Sequence, residues 1–370
     1  MSLSMSSVPS SGAALAVGSK LSNMDLAREA IRAFFPNAEA VSMTPTSGGV
    51  NNVVQFLDLP NGERKIMRIY NNGGNTARVA FEHAILTELN KEATAMSFKI
   101  PRMMPTLKDA TKTYVELSNG ASACIVDVIE GGLPKLTCVR DIGRASGELN
   151  SFISKVKLDP KLGMGPTPPY FDLFKVHHAV TRDLFYKEMA GKNFDGVRSS
   201  ATEMVSEIKQ MEAKIDELKA LNLPFCLIHG DLHYDNVLVK DGRVTGLLDF
   251  EFASNDWRGM ELAICLSKYA GEKDAAGNSV AMPFFEEFID GFAVAGELTD
   301  PEIEAIPDLI NLRILSNVVY FVGRAIAGED DISSLTTRIA NYCGRVQWIK
   351  KNGEAIRQSL RKKMKLASDP

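Results

Sequence analysis

The stretch LIHGDLHYDNVLV, which runs through a short turn into VTGLLDFEFA, constrains this chain more than any other. From Leu227 to Ala253 it sets two His, four Asp, an Asn and a Glu between short apolar runs. Burying a charge is costly unless it is paired or coordinates a metal. The stretch is therefore either a surface hairpin or a site. FCLIHG is a brief apolar run ending in His-Gly, and NVLV and VTGLLDF are β-rich runs joined by a turn at Lys240-Asp241-Gly242. This pattern predicts Asp231 and Asn236 on a loop between short strands, with Asp249 at the end of the last one. A loop followed by a hairpin brings all three side chains to one place.

Two carboxylates and an amide oxygen suit Mg²⁺, a hard cation that prefers oxygen ligands and substrate phosphates. His229 and His233 have an H-x₃-H spacing, which raises zinc as an alternative. Zinc motifs of that type align both rings on a helix, whereas the Gly and the β-rich flanks argue against a helix here. A purely structural reading makes Asp231 a turn residue and Asn236 a cap. It does not account for D-x₄-N followed by a strand-end Asp-Phe, a combination used in phosphoryl transfer. No GxxxxGK[ST] motif occurs, which argues against a P-loop enzyme.

The chain has 370 residues, enough for two lobes and a sizeable core. In LSNMDLAREAIRAFF, Leu26, Ala30, Ile31 and Phe34 share a helical face. GGVNNVVQFLDLPNGERKIMRIY reads as two strands around a turn at Pro60-Asn61-Gly62, and NTARVAFEHAILTELNK returns to helical spacing. TYVEL and ASACIVDVI form a second hairpin, turning at Asn119-Gly120. The first 130 residues thus predict an α+β lobe around an antiparallel sheet. EGGLPK, from Glu130 to Lys135, is a candidate hinge, and helical patterns dominate beyond it. Met204, Ile208, Met211, Ile215 and Leu218 form one helical stripe, and Thr299 to Glu302 is a capping-box pattern.

The amino-terminal half offers phosphate contacts. TSGGVNNVVQF places two glycines at the start of a hairpin, where backbone N–H groups can approach phosphate oxygens, although a plain turn explains them equally. Arg68 lies mid-strand, with Ile66 and Tyr70 on its face, and Glu82 on the next helix is its expected partner. A cation–Glu pair across strand and helix holds nucleotide phosphates in kinase-like lobes.

HGDLHYDNVLV with GLLDFEFA resembles the signature of the aminoglycoside phosphotransferase and choline kinase superfamily of small-molecule kinases. The resemblance covers most of the chain. It implies a bilobal protein-kinase-like α+β fold, with a small antiparallel-sheet N-lobe and a larger, mainly helical C-lobe. The expected division is a disordered tail over 1–20, a nucleotide-binding N-lobe over 21–130 and a catalytic, acceptor-binding C-lobe over 131–370. The implied cofactors are ATP and Mg²⁺, with Asp231 as catalytic base and Asn236 and Asp249 as metal ligands. SGGVNNVV resembles the nucleotide loop, implicating Ser47, Gly48, Gly49 and Asn52; Arg68, held by Glu82, takes the phosphate-binding position. DVIEGG resembles the hinge that meets adenine, through Ile129.

Within the superfamily, DFEFASNDWRGMELAICL and FIDGFAVAGELTDPEIEAIPDLINLRIL look most like bacterial-type homoserine kinases, although Glu251 stands where those usually have Tyr. The choline and ethanolamine branch has His-Asn-Asp where this chain has His-Gly-Asp. The expected acceptor is a small amino alcohol, homoserine first and choline or ethanolamine second. Both kinds carry a cationic nitrogen, for which Glu251 and Asp256 are candidate anions. A substrate carboxylate favours a bidentate Arg, here Arg258, with Arg313 and Arg324 further along. A quaternary nitrogen favours an aromatic cage, for which Trp257 and Tyr269 are available. A protein kinase is disfavoured by the short interval between Asp249 and the next apolar helix, and an inactive nucleotide-binding module is the remaining alternative.

A formal net charge of −4 argues against a general nucleic-acid binder, and the Lys/Arg-rich stretch from Lys350 to Lys365 reads as the solvated end of a helix. Five scattered cysteines without a CxxC pair fit reduced thiols in a cytosolic protein. No apolar run is read as long enough to span a bilayer. A cytoplasmic enzyme without nucleic-acid or membrane partners is expected, and a homodimer is compatible with it.

Overall fold

The computed structural model describes residues 23–46, 53–70, 74–134 and 136–366. Helix α1 (Asn23–Phe34) buries Leu26, Ala30, Ile31 and Phe34. This face packs on an antiparallel sheet of strands β1 (Ser42–Pro45), β2 (Val53–Asp58), β3 (Arg64–Ile69), β4 (Val115–Glu116) and β5 (Ser122–Asp127), with α2 (Thr76–Lys91) between β3 and β4. The strand order is β1-β2-β3-β5-β4. Alternation along β3 decides what faces the cleft. Met67 and Ile69 join Leu57 and Ile125 in the core under α1. Arg68 takes the opposite face, and Tyr70 just beyond the strand packs with Val79 of α2 and Cys124.

The glycine-rich segment after β5 does not hang free. Gly132 and Val239 exchange backbone hydrogen bonds of 2.9 Å in both directions. Thr245 Oγ1 donates to the Glu130 carbonyl at 2.6 Å. The expected hinge is thereby stitched to the hairpin that carries the charged stretch.

The C-lobe comprises α3 (Val139–Ile153), α4 (Arg182–Met189), α5 (Arg198–Ala220), β6 (Phe225–Ile228), β7 (Val237–Lys240), β8 (Arg243–Leu247), β9 (Ser254–Trp257), α6 (Gly259–Ser267) and α7 (Ala281–Phe292). They are followed by β10 (Glu297–Leu298), α8 (Asp300–Ile326), α9 (Ser333–Thr336), α10 (Ile339–Lys363) and β11 (Lys365–Leu366). Helix α3 packs on α7, and both α6 and α10 pack on α8. A Cβ at Gly143 or Gly291 would collide with the backbone of the facing helix, so α3 and α7 meet main chain to main chain. The stripe of α5, from Met204 to Leu218, is buried.

Helix α8 opens with the capping box: Glu302 N–H donates to Thr299 Oγ1, and Thr299 N–H donates to Glu302 Oε2 at 2.8 Å. By length and composition it could cross a bilayer, contrary to the sequence expectation, but 67% of its most apolar window is buried inside the fold. It serves here as the central core helix.

Candidate active site

The charged stretch is built on a tightly held loop. Strand β6 pairs with β9, whereas β7 and β8 pair with each other. Gly230 follows β6 with φ of +82°, and a Cβ there would collide with the Phe252 carbonyl. Glycine is what this turn admits. His229 is fully buried; its Nε2 donates to the Leu248 carbonyl at 2.9 Å, and its Nδ1 accepts the Asp231 N–H at 3.3 Å. Burial pushes this ring down to about 4, so it is neutral. With both nitrogens committed, it has no lone pair for zinc, which closes the H-x₃-H alternative. Beneath the loop, buried Glu261 accepts the His229 and Gly230 N–H groups at 2.6 and 3.4 Å, and burial pushes its carboxyl up to about 7.

Asn236 lies against Asp231, its Nδ2 donating to the Asp231 carbonyl at 2.9 Å. A carbonyl only accepts, so the amide presents NH₂ to Asp231 and turns Oδ1 away. Leu248 N–H donates to the Asn236 carbonyl at 2.9 Å, which sets Asn236 beside Asp249. Asp249 has φ of +66°, a left-handed conformation that Asp adopts more readily than most residues. Burial and the neighbouring Glu251 and Asp231 carboxylates push its carboxyl up, against the pull of Arg68. A carboxylate, an amide oxygen and a local surplus of negative charge fit a hard divalent cation.

Arg68 closes the cluster from the N-lobe. Its Nη1 donates to Glu82 Oε1 at 3.0 Å, and its Nη2 donates to Asp249 Oδ1 and Glu251 Oε2, each at 2.8 Å. The guanidinium sits 4.6 Å from the centroid of the Tyr70 ring. Glu82 is only 4% exposed, and burial raises its carboxyl while Arg68 opposes the shift.

Not every expected residue joins this group. Glu251 pairs with Arg68 on the N-lobe side and does not stand apart as an anion for the acceptor. Asp256 is fully buried; it accepts the Tyr170 N–H at 2.6 Å and the Trp257 N–H at 2.7 Å. Burial pushes its carboxyl up to about 7. It fixes the loop whose Tyr170 hydroxyl donates to the Gly230 carbonyl at 2.6 Å. Arg258 forms a fork on Glu302 of α8, with distances of 3.0 and 2.5 Å, at the end of the β6–β9 ribbon remote from Asp231. Asp256 and Arg258 are thus scaffold contacts, because β9 runs antiparallel to β6 and carries them away from the loop. Ile129 packs over Gly246 of β8, beside the hairpin bearing Asn236 and Asp249. Ser47, Gly48, Gly49 and Asn52 lie outside the described residues.

The structure adds cations around Asp231. Arg313 of α8 donates from Nη2 to Asp231 Oδ1 at 2.5 Å and from Nη1 to Asn317 Oδ1. His233 Nε2 is 3.6 Å from Asp231 Oδ2, and Lys268 Nζ is 3.5 Å from Asp235 Oδ2. Burial disfavours the Asp231 carboxylate, yet His233, Arg313 and Lys268 outweigh it and hold the carboxyl well below the usual carboxylate range. Arg345, on α10, lies within electrostatic reach of Arg313 and Lys268 and donates to the Ser267 carbonyl. A signal for Arg313 exists in the sequence: Arg inside the apolar run INLRILSNVV is hard to bury without an anion.

The profile of the phosphotransferase enzyme family (APH) matches residues 42–305. The homoserine kinase of Rhizobium meliloti (strain 1021) is 27% identical over 293 residues, covering 76% of this chain and 80% of that protein. An amicoumacin kinase solved in complex with AMP-PNP and Ca²⁺ superposes with a TM-score of 0.62 at 15% identity, covering 90% of this chain and 94% of its own. A microcompartment-associated aminopropanol kinase gives the same TM-score and identity, covering 90% and 98%. At such identities these two structures speak to the fold, a small antiparallel-sheet lobe joined to a larger helical one. The profile match extends through both lobes, from β1 into α8, and on that ground this chain belongs to the phosphotransferase enzyme family.

Proposed function

We propose that this enzyme transfers the γ-phosphate of ATP to the hydroxyl of a small amino alcohol, with L-homoserine as acceptor. The observation that carries the transfer is the convergence of Asp231, Asn236 and Asp249 opposite the Arg68–Glu82 pair. In this reading Arg68 holds nucleotide phosphates and Glu82 holds Arg68. Asn236 Oδ1 and the Asp249 carboxylate are the oxygen ligands for Mg²⁺, which when bound supplies neutralisation of phosphate charge. Asp231 takes the acceptor's hydroxyl proton as the oxygen attacks the γ-phosphorus and the bond to the β–γ bridging oxygen breaks, releasing ADP. Residues 21–130 then serve as the nucleotide lobe, with Ile129 and the loop of Ser47, Gly48, Gly49 and Asn52 at the nucleotide, and 131–370 as the catalytic and acceptor lobe.

Two observations favour homoserine over choline. The surroundings of Asp231 are cationic, with Arg313 and Lys268, and Arg345 lies within electrostatic reach of Arg313, which suits an acceptor that brings a carboxylate. Two aromatic rings are already capped: Arg313 lies 5.2 Å from the Tyr170 ring centroid and Arg324 lies 5.7 Å from that of Tyr320. A quaternary ammonium would have to displace those guanidinium groups to use these two faces. The homoserine kinase similar to this chain supports the same choice.

ADP release measured with L-homoserine, choline and ethanolamine tests the reading. Homoserine should give the highest kcat/KM, by at least ~10-fold, the size of one modest pocket contact. Choline as the best acceptor with homoserine inert would overturn the acceptor and leave the phosphoryl transfer standing.

A further inference from the structure

Both oxygens of Asp231 have polar neighbours, but Oδ1 is the one closely held. Oδ1 accepts from Arg313 Nη2 at 2.5 Å, while Oδ2 faces Asn236 Nδ2 at 3.4 Å and His233 Nε2 at 3.6 Å. A base has to offer a lone pair to the hydroxyl hydrogen it removes. In this arrangement Arg313 covers the better-held of the two oxygens.

Arg313 itself is under-satisfied. It is only 9% exposed, and its other hydrogen bond among the described residues goes to the Asn317 side chain. Its Nε is buried and has no hydrogen-bond partner among the described residues. A buried guanidinium donor without an acceptor is costly and marks a place for one. Arg345 nearby repeats the pattern, with a buried Nε that also has no partner. Arg313 and Lys268 beside one carboxylate, with the second orphaned guanidinium of Arg345 within electrostatic reach of both, describe a site short of an anion.

We propose that Arg313 is an acceptor-operated latch: the carboxylate of an amino-acid acceptor takes the guanidinium from Asp231, and the exchange frees the Asp231 oxygen for the acceptor's own hydroxyl. The inference rests on the amino-alcohol reading above and narrows it to acceptors that carry an acid group. The two-point fork that Arg makes with a carboxylate satisfies Nε together with one terminal nitrogen, which the single contact to Asp231 does not. Recognition and activation then become one event. An amino alcohol lacking the acid group enters with Asp231 still latched, so the site selects against it at the step of base release as well as in binding.

The test compares L-homoserine with 3-aminopropan-1-ol, which is the same molecule without its carboxylate. Wild-type enzyme should favour homoserine in kcat/KM by roughly 10²-fold, the size of a charge-assisted contact. Arg313→Gln should shrink that ratio by at least ~10-fold, chiefly by raising the KM for homoserine, and Arg313→Lys should recover part of it, since charge returns without the fork. Adding acetate to wild-type enzyme turning over 3-aminopropan-1-ol should give a saturable stimulation that Arg313→Gln lacks. This measurement needs no folded variant to show the effect. A ratio in Arg313→Gln equal to that of wild type, or no response of wild type to acetate, overturns the latch. If homoserine is inert, the homoserine reading fails separately. The latch is then judged on the best acceptor and its decarboxylated analogue, and preference for the analogue overturns it.

Discussion

Two arginines, Arg68 partly buried and Arg313 buried, grip the same acidic loop from opposite sides. Arg68 reaches Asp249 and Glu251 from the N-lobe sheet, and Arg313 reaches Asp231 from α8. They differ in how they are held. Arg68 has its own carboxylate, Glu82, on the adjacent helix of the same lobe, and it rests over Tyr70. Arg313 also lies over a ring, that of Tyr170, but besides the carboxylate it covers its hydrogen-bond partner among the described residues is a neutral amide, Asn317, and its Nε has no acceptor there. A cation with a private anion stays where it is when a ligand arrives. A cation without one is free to change partners. In the proposed reading, the nucleotide side of the site is therefore preset and the acceptor side is exchangeable.

The largest effect should come from removing the anion that Arg68 shares with the proposed metal. Asp249→Ala should reduce phosphoryl transfer by ~10³-fold or more, since both ligand and charge are lost together. Full activity in that variant at low Mg²⁺ would break the comparison at its root. Next, Asp231→Asn should lower kcat by ~10²–10⁴-fold while leaving the KM for ATP nearly unchanged. A parallel loss of ATP affinity would mean that the two sides are not separable.

A smaller effect is expected at the fixed arginine. Arg68→Met should raise the KM for ATP by about 10-fold, the lower end of what a charge-assisted contact contributes, and Glu82→Ala should do so more mildly. The double variant should fall short of the product of the two, because residues in contact couple. Additive behaviour would remove the privileged partnership on which the contrast with Arg313 stands.

The smallest effect concerns the platform common to both sides. Glu261 keeps its proton in the folded protein up to about 7, whereas 4.5 is its ordinary value. The native state thus binds more protons than the unfolded one between those values. The stability associated with Glu261 is fully present below 4.5 and is lost as pH rises through about 7. Glu261→Gln should lessen the drop in unfolding free energy, read from urea titrations, between pH 5 and pH 7.5, by an amount on the order of 1–3 kcal/mol, without altering acceptor preference. An unchanged pH profile would show that this carboxyl titrates normally.

Much of the scaffold was legible because it follows local rules. The buried face of α1, the turns at Gly62 and Gly120, the stripe of α5 and the capping box of α8 all arise within a few residues of chain. Arg68 and Glu82 are 14 positions apart on neighbouring elements, close enough for the strand–helix pattern to bring them together on the page. The acceptor side was not legible in the same way. Glu251, Asp256 and Arg258 follow Asp249 in sequence, but β9 turns back along β6 and ties the last two into the scaffold. The contact that matters there, Arg313 to Asp231, spans 82 positions and depends on how α8 lies across the lobe. Periodicity reports which residues of a helix are buried, not which distant loop they meet.

Helix α8 also bears on how such an enzyme diversifies. Arg313, Asn317, Tyr320 and Arg324 recur at one-turn intervals along one rigid rod, spanning about 16 Å at 1.5 Å per residue. The phosphate-handling hairpin contributes nothing to this row. A change at one rung beyond Arg313 leaves the contact to Asp231 in place. New acceptors are then reachable by single substitutions on one element, which makes α8 the natural place to randomise a library.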